Sequence, residues 1–157
     1  MAYLSVNPFN GELLKGFDEY TDEQMEAMLA TADNAFRTVW PKKSIGERAK
    51  IIGKAAALML HDKERFARLA TLEMGKRISE SRGEAELSAA ILQYYADNAE
   101  VFLAPRPIHS VAGDAHIEYS PFGVLIGVQP WNYPYYQLAR FAAPHLMSGN
   151  VMLVKHA

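Results

Sequence analysis

Cysteine is absent from this 157-residue sequence, which excludes disulfides, thiolate metal sites and any cysteine nucleophile supplied from within the chain. No window approaches the roughly 18 uninterrupted apolar residues of a membrane-spanning helix, and the opening MAYLSVNPFNGELL has neither the basic segment nor the apolar stretch of a secretory signal. A soluble, cytoplasmic protein without a membrane partner is expected. Neither sign of charge dominates: 16 Lys and Arg against 18 Asp and Glu give a formal net charge of -2. The basic residues are dispersed, so nucleic acid is not expected as a partner. There is no GxGxxG fingerprint and no P-loop. The histidines, His61, His109, His116, His145 and His156, do not fall at metal-ligand spacings, and no metal site is expected. Repeats, low-complexity tracts and flexible linkers are missing as well.

What is present suffices for one globular domain with a core, since 50% of the residues are hydrophobic. Residues 1–20, rich in Gly, Asn and Pro, read as an extended lead-in with a turn at Asn10-Gly11. Thr21 with Gln24 is a capping box, followed by Met25, Met28, Leu29, Ala32, Ala35, Phe36 and Val39 at helical spacing until Pro41. Ser44 with Glu47 repeats that logic for a second helix, and a third runs from about Lys63 to a terminal Gly75. From about Ser79 to Leu103 a fourth carries Leu87, Ile91, Tyr94, Tyr95 and Phe102 as its apolar face, with Glu80, Glu84 and Glu86 as an exposed acidic one.

The period then changes. His116 to Tyr119 alternates, and Gly123 to Val128 is a continuous apolar run that suits a strand covered on both faces. A helix over about 135–147 and a second strand, Val151 to Val154, complete a βαβ unit, which is expected to be parallel and right-handed. The expected fold class is α/β: N-terminal helices leading into the first unit of a doubly wound sheet.

Ligands of such sheets bind beyond the carboxyl ends of the strands, where Pro130-Trp131-Asn132 stands. Asn132 offers uncharged N–H donors suited to a developing oxyanion, or it caps the next helix, and spacing alone favours the cap. Lys155 follows the second strand, either to meet a cofactor ribose or phosphate or simply as a solvated lysine. Tyr133, Tyr136, Gln137 and Arg140 share one helix face, which either lines a funnel or is half-buried core.

Several ordered motifs together resemble the aldehyde dehydrogenase superfamily: Asn7-Pro8-Phe9-Asn10-Gly11-Glu12, Glu73-Met74-Gly75-Lys76, Pro121-Phe122-Gly123-Val124, Pro130-Trp131-Asn132-Tyr133-Pro134, and Gly149-Asn150-Val151 with Lys155. The resemblance implies a truncated, Rossmann-like NAD(P)-binding domain over 1–157, with a strand segment at about 110–122 belonging to an oligomerisation arm and the catalytic domain absent. It implies that a cysteine outside this chain attacks the aldehyde, that hydride passes to NAD or NADP, and that a glutamate outside this chain activates the hydrolytic water. Asn132 matches the asparagine that stabilises the thiohemiacetal oxyanion. Val128, Gln129 and Trp131 match positions along the cofactor, and Lys155 matches the lysine that bonds its adenosine ribose. Tyr133, Gln137 and Arg140 match the wall of the aldehyde tunnel. Arginine at position 140 resembles the succinate-semialdehyde dehydrogenases, where it meets the substrate's distal carboxylate. The substrate implied is thus a small aldehyde, succinate semialdehyde, and the complete enzyme is expected to be a homo-oligomer. The alternative is a non-catalytic module for oligomerisation or interaction.

Overall fold

The computed structural model describes residues 3–157, so Met1 and Ala2 of the expected lead-in lie outside it. That lead-in is a hairpin, β1 (Tyr3–Val6) paired antiparallel with β2 (Leu13–Phe17). Its turn is closed by short side chains that bond their own backbone: Asn7 Oδ1 accepts the Phe9 N–H and Asn10 Oδ1 the Glu12 N–H, both at 3.0 Å. Neither YLSV nor LLKGF alternates apolar with polar residues, which is why its pattern gives no strand signal.

Both capping boxes form. Thr21 opens α1 (Asp22–Thr38) and Ser44 opens α2 (Ile45–His61), each exchanging bonds with the residue three positions on, an arrangement worth about 1 kcal/mol apiece. α1 stops at Thr38, short of Pro41, which lies inside a 3-10 turn over Trp40–Lys42. α3 (Lys63–Met74) ends as expected at Gly75, whose φ of 73° is a left-handed cap conformation; its N–H bonds the Thr71 carbonyl at 3.0 Å.

α4 (Ile78–Phe102) packs against α2, α3 and α5 (Pro134–Met147), and it does so with an unexpected face. Its buried positions are Ser81, Glu84, Ala85, Ser88, Ala89 and Ala99, whereas Leu87, Tyr94 and Phe102 are 47%, 54% and 43% exposed. Small side chains let neighbouring helices approach α4 closely, and the larger residues are left on its flanks. Glu84 belongs to that stripe and is buried, which corrects the expectation of an exposed acidic face; Glu80 and Glu86 do remain exposed. The principal core joins Ile52 of α2, Ala99 of α4 and Met147 of α5, with Ala49, Leu92, Tyr95 and Leu146 around them. Full burial of a side chain the size of Met147 is worth about 1.5–3 kcal/mol.

β3 (Arg106–Ile108) and β4 (Ala115–Ile117) form a second antiparallel hairpin. It begins before the segment expected over 110–122 and its second strand is shorter than 116–119. β3 contains Pro107, which cannot donate to a ladder and so masks the strand in the sequence.

The βαβ unit is present as expected. β5 (Val124–Val128) pairs parallel with β6 (Val151–Lys155) in the register Val124↔Val151 through Val128↔Lys155, with α5 as the crossover. Gly127 is where helix meets sheet: a Cβ there would lie 2.5 Å from Cε1 of Phe141, so only a bare backbone accepts the ring. The two faces are not equally covered, however. Ile126 and Val128, one face of β5 by the two-residue period, are 69% and 74% exposed, which corrects the expectation of a strand buried on both sides.

Candidate active site

The parallel register brings the carboxyl ends of both strands together. Val128 stands opposite Lys155, and the Gln129 N–H extends the ladder to the Lys155 carbonyl at 3.0 Å. Gln129 is buried, while the Val128 side chain and the Trp131 indole, 67% exposed, lie open. The Lys155 ammonium sits 4.8 Å from the centroid of the Tyr3 ring and has no carboxylate partner among the described residues. Three of the four residues matched to a cofactor are therefore adjacent, and they combine a cation with free donors and exposed apolar surface. That donor set suits the ribose and rings of a dinucleotide.

The loop then turns into α5. Asn132 is exposed and its amide has no hydrogen-bond partner among the described residues. It does not cap the helix. The N-cap position is Tyr133, which makes no side-chain cap either, and Pro134 takes the first helical position with no N–H to satisfy. The next two amides, of Tyr135 and Tyr136, are bonded by Glu84 Oε1 from α4 at 2.8 and 3.2 Å. The other oxygen of Glu84 accepts from Lys76, and the Lys76 ammonium lies 3.6 Å from the centroid of the Tyr133 ring. Motif and spacing led to Asn132 but passed over Glu84. The signal that could have found it is the run of small residues, Ser81, Ala85, Ser88 and Ala89, on whose stripe it falls.

The helix face expected to carry Tyr133, Tyr136 and Arg140 is assembled. The two tyrosine rings meet edge to face with centroids 6.0 Å apart, and the Arg140 guanidinium lies 5.5 Å from the centroid of Tyr136. Arg140 is exposed and forms no salt bridge among the described residues, and Gln137 is half-buried on the same helix. Tyr135 faces the other way. Its hydroxyl donates to the Phe66 carbonyl at 2.9 Å, and burial, reinforced by the negative charges of Glu73 and Glu84, pushes its pKa up to about 12.

At the opposite end of the unit the asparagine is fully engaged. Asn150 is buried; its Oδ1 accepts the Phe122 and Gly123 N–H groups at 2.7 and 3.0 Å, and its Nδ2 donates to Ser148 Oγ at 3.0 Å. The Trp40 indole donates to the Leu146 carbonyl and Arg48 Nε to that of Met147, at 3.0 and 3.2 Å. A cation and donors thus meet the negative end of α5.

Residues 2–157 match the model of the aldehyde dehydrogenase family. The chain is 44% identical over 155 residues to succinate-semialdehyde dehydrogenase [NADP(+)] of Deinococcus radiodurans, a match that covers 99% of this chain and 32% of that protein. It is 41% identical to an aldehyde dehydrogenase of Paenarthrobacter nicotinovorans, covering 100% of this chain and 35% of the other. The crystal structure of succinic semialdehyde dehydrogenase from Streptococcus pyogenes in complex with NADP+ superimposes with a TM-score of 0.95 at 36% identity, over 99% of this chain and 34% of that one. The chain spans about a third of the length of the curated relatives it matches.

Proposed function

The chain belongs to the aldehyde dehydrogenase family, and we propose that it is the opening, NAD(P)-binding part of an enzyme that oxidises succinate semialdehyde to succinate. The catalytic cysteine and the general-base glutamate stand outside this chain, which has no cysteine. Asn132 is the donor to the oxyanion that forms when the thiolate adds to the aldehyde carbonyl, and its amide is free for that task because α5 is capped from elsewhere. Lys155 bonds the adenosine ribose, with Val128, Gln129 and Trp131 along the rest of the cofactor. When bound, NAD(P)+ supplies the hydride acceptor. The NADP(+) named for the Deinococcus relative and bound in the Streptococcus structure favours NADP. The β3–β4 hairpin, with Ile108 and Ile117 exposed, contributes to the oligomerisation arm of a cytoplasmic homo-oligomer.

The observation that carries the substrate is Arg140. It is a guanidinium with no carboxylate partner among the described residues, at the far end of an aromatic face that starts beside Asn132. Such a group can hold a distal carboxylate in a two-point contact. The test uses a completed enzyme, this segment joined to the remaining two thirds of the Deinococcus relative. Arg140→Leu should lower kcat/KM for succinate semialdehyde by about 1.5–3 kcal/mol, the worth of a charged hydrogen bond, while butanal, which lacks the carboxylate, loses little. Equal losses for both aldehydes would assign Arg140 to the fold and leave the substrate open.

A further inference from the structure

Glu84 and Lys76 do not resemble a device for stability. A buried ion pair gives up hydration that its attraction scarcely recovers. The side chains are 0% and 7% exposed, and the carboxylate reaches α5 from 51 residues earlier in the chain. A serine or aspartate at position 133 would cap the same amides locally. What the distant cap achieves is different: it secures α5 at Tyr135 and Tyr136 without using the side chain of Asn132. Through Lys76 it also fixes the ring of Tyr133, the residue that follows Asn132. On the other side, Gln129 is anchored to the strand pair through the Lys155 carbonyl. The segment 130–132 is thereby held at both ends while its own amide stays unengaged.

We infer that Glu84 and Lys76 are a positioning pair for the reaction, acting through Asn132: the buried carboxylate caps α5 in place of the asparagine and the ammonium fixes Tyr133, so that the Asn132 amide is held in place and free to donate. This rests on the assignment of Asn132 as oxyanion donor. Glu84→Gln keeps an acceptor oxygen and nearly the same volume but removes the charge that holds Lys76. In the completed enzyme it lowers kcat roughly tenfold to a hundredfold, the scale of a misplaced catalytic group, with KM for the aldehyde changed less than about threefold. In an Asn132→Ala background the same substitution lowers kcat by less than about twofold, because the group it positions is already gone. In the 157-residue chain, Glu84→Gln shifts the side-chain amide resonances of Asn132 in a 15N–1H spectrum, whereas Glu86→Gln, at an exposed site, leaves them in place.

An unchanged kcat, an equal loss in both backgrounds, or unmoved Asn132 resonances overturns the inference. Should Asn132→Ala alone keep wild-type kcat, the oxyanion assignment fails, and the resonances still decide whether the pair positions the side chain. If Glu84→Gln does not fold, the charge-neutral Glu84→Gln/Lys76→Met protein takes its place and is expected to show the same loss of kcat. Failure of both to fold would make the pair a determinant of stability and overturn it as well.

Discussion

The two ends of the β5–α5–β6 unit are built by the same method and left in opposite states. At each end, α5 is capped by side chains from distant elements, Glu84 at its start and Trp40 with Arg48 at its finish. At the amino ends of the strands the result is a closed structure, in which buried Asn150 uses its carbonyl on two backbone amides and its NH2 on Ser148. At the carboxyl ends the other asparagine, Asn132, is exposed with no partner among the described residues, between an open indole and a tyrosine face. Two asparagines flank one helix: one is spent on folding and the other is left unbonded among the described residues. Asymmetry of hydrogen-bond satisfaction therefore marks the end of the unit proposed as the site more sharply than residue type does.

The comparison is sharpest at Asn132. Asn132→Ala in the completed enzyme should lower kcat about a hundredfold to a thousandfold, the effect of losing one oxyanion donor, with little change in thermal midpoint. Steady-state kinetics alongside a melting curve checks both halves, and a variant that melts early while retaining kcat would reverse the roles of the two ends. Asn150→Ala should do the converse. It strips acceptors from two backbone amides at a buried site, so stability falls by about 2–3 kcal/mol while kcat per folded enzyme stays near wild type. Urea unfolding followed by circular dichroism measures that loss.

The smallest effect concerns Tyr135, which ties the open end of α5 to α3 through Phe66. With its pKa raised from 10.0 to about 12 in the fold, the folded state keeps the phenol proton that the unfolded chain releases. Its contribution is complete below pH 10 and fades as pH rises from 10 through 12. Allowing for partial exposure, the loss is roughly 1–2 kcal/mol. Tyr135→Phe should flatten the fall in urea midpoint between those pH values, and an unaltered slope would remove Tyr135 as its source.

How much of this was legible in the sequence depended on distance along the chain. The caps at Thr21 and Ser44 and the stop at Gly75 rest on residues within a few positions of each other, and the βαβ unit on three local runs of strand or helix period, so the residues alone determined them. The buried face of α4 was not legible, because large apolar residues mark a buried face only where space exists for them. Here close helix contact selected Ser and Ala and placed Leu87 and Tyr94 at the flank. Glu84 was misplaced for the same reason, since the partners that make its burial tolerable lie 8 residues away in Lys76 and 51 away in Tyr135. At the candidate site, Val128, Gln129 and Lys155 were placed together by strand register, which a parallel pair implies. Spacing alone favoured Asn132 as the cap and the resemblance moved it to the oxyanion; what caps α5 instead required the geometry of a different helix.

The two tryptophans of the chain stand one at each end of α5. Trp40 is half-buried with its N–H bonded to Leu146, and Trp131 is 67% exposed beside Asn132. Their emission is consequently divided by environment: a bluer, collisionally shielded fluorophore reports on the closed end, and a redder one open to a neutral quencher reports on the loop that the proposed dinucleotide would cover. The fold thus carries its own pair of optical probes, and the difference between them separates occupancy of the site from unfolding of the helix that holds it.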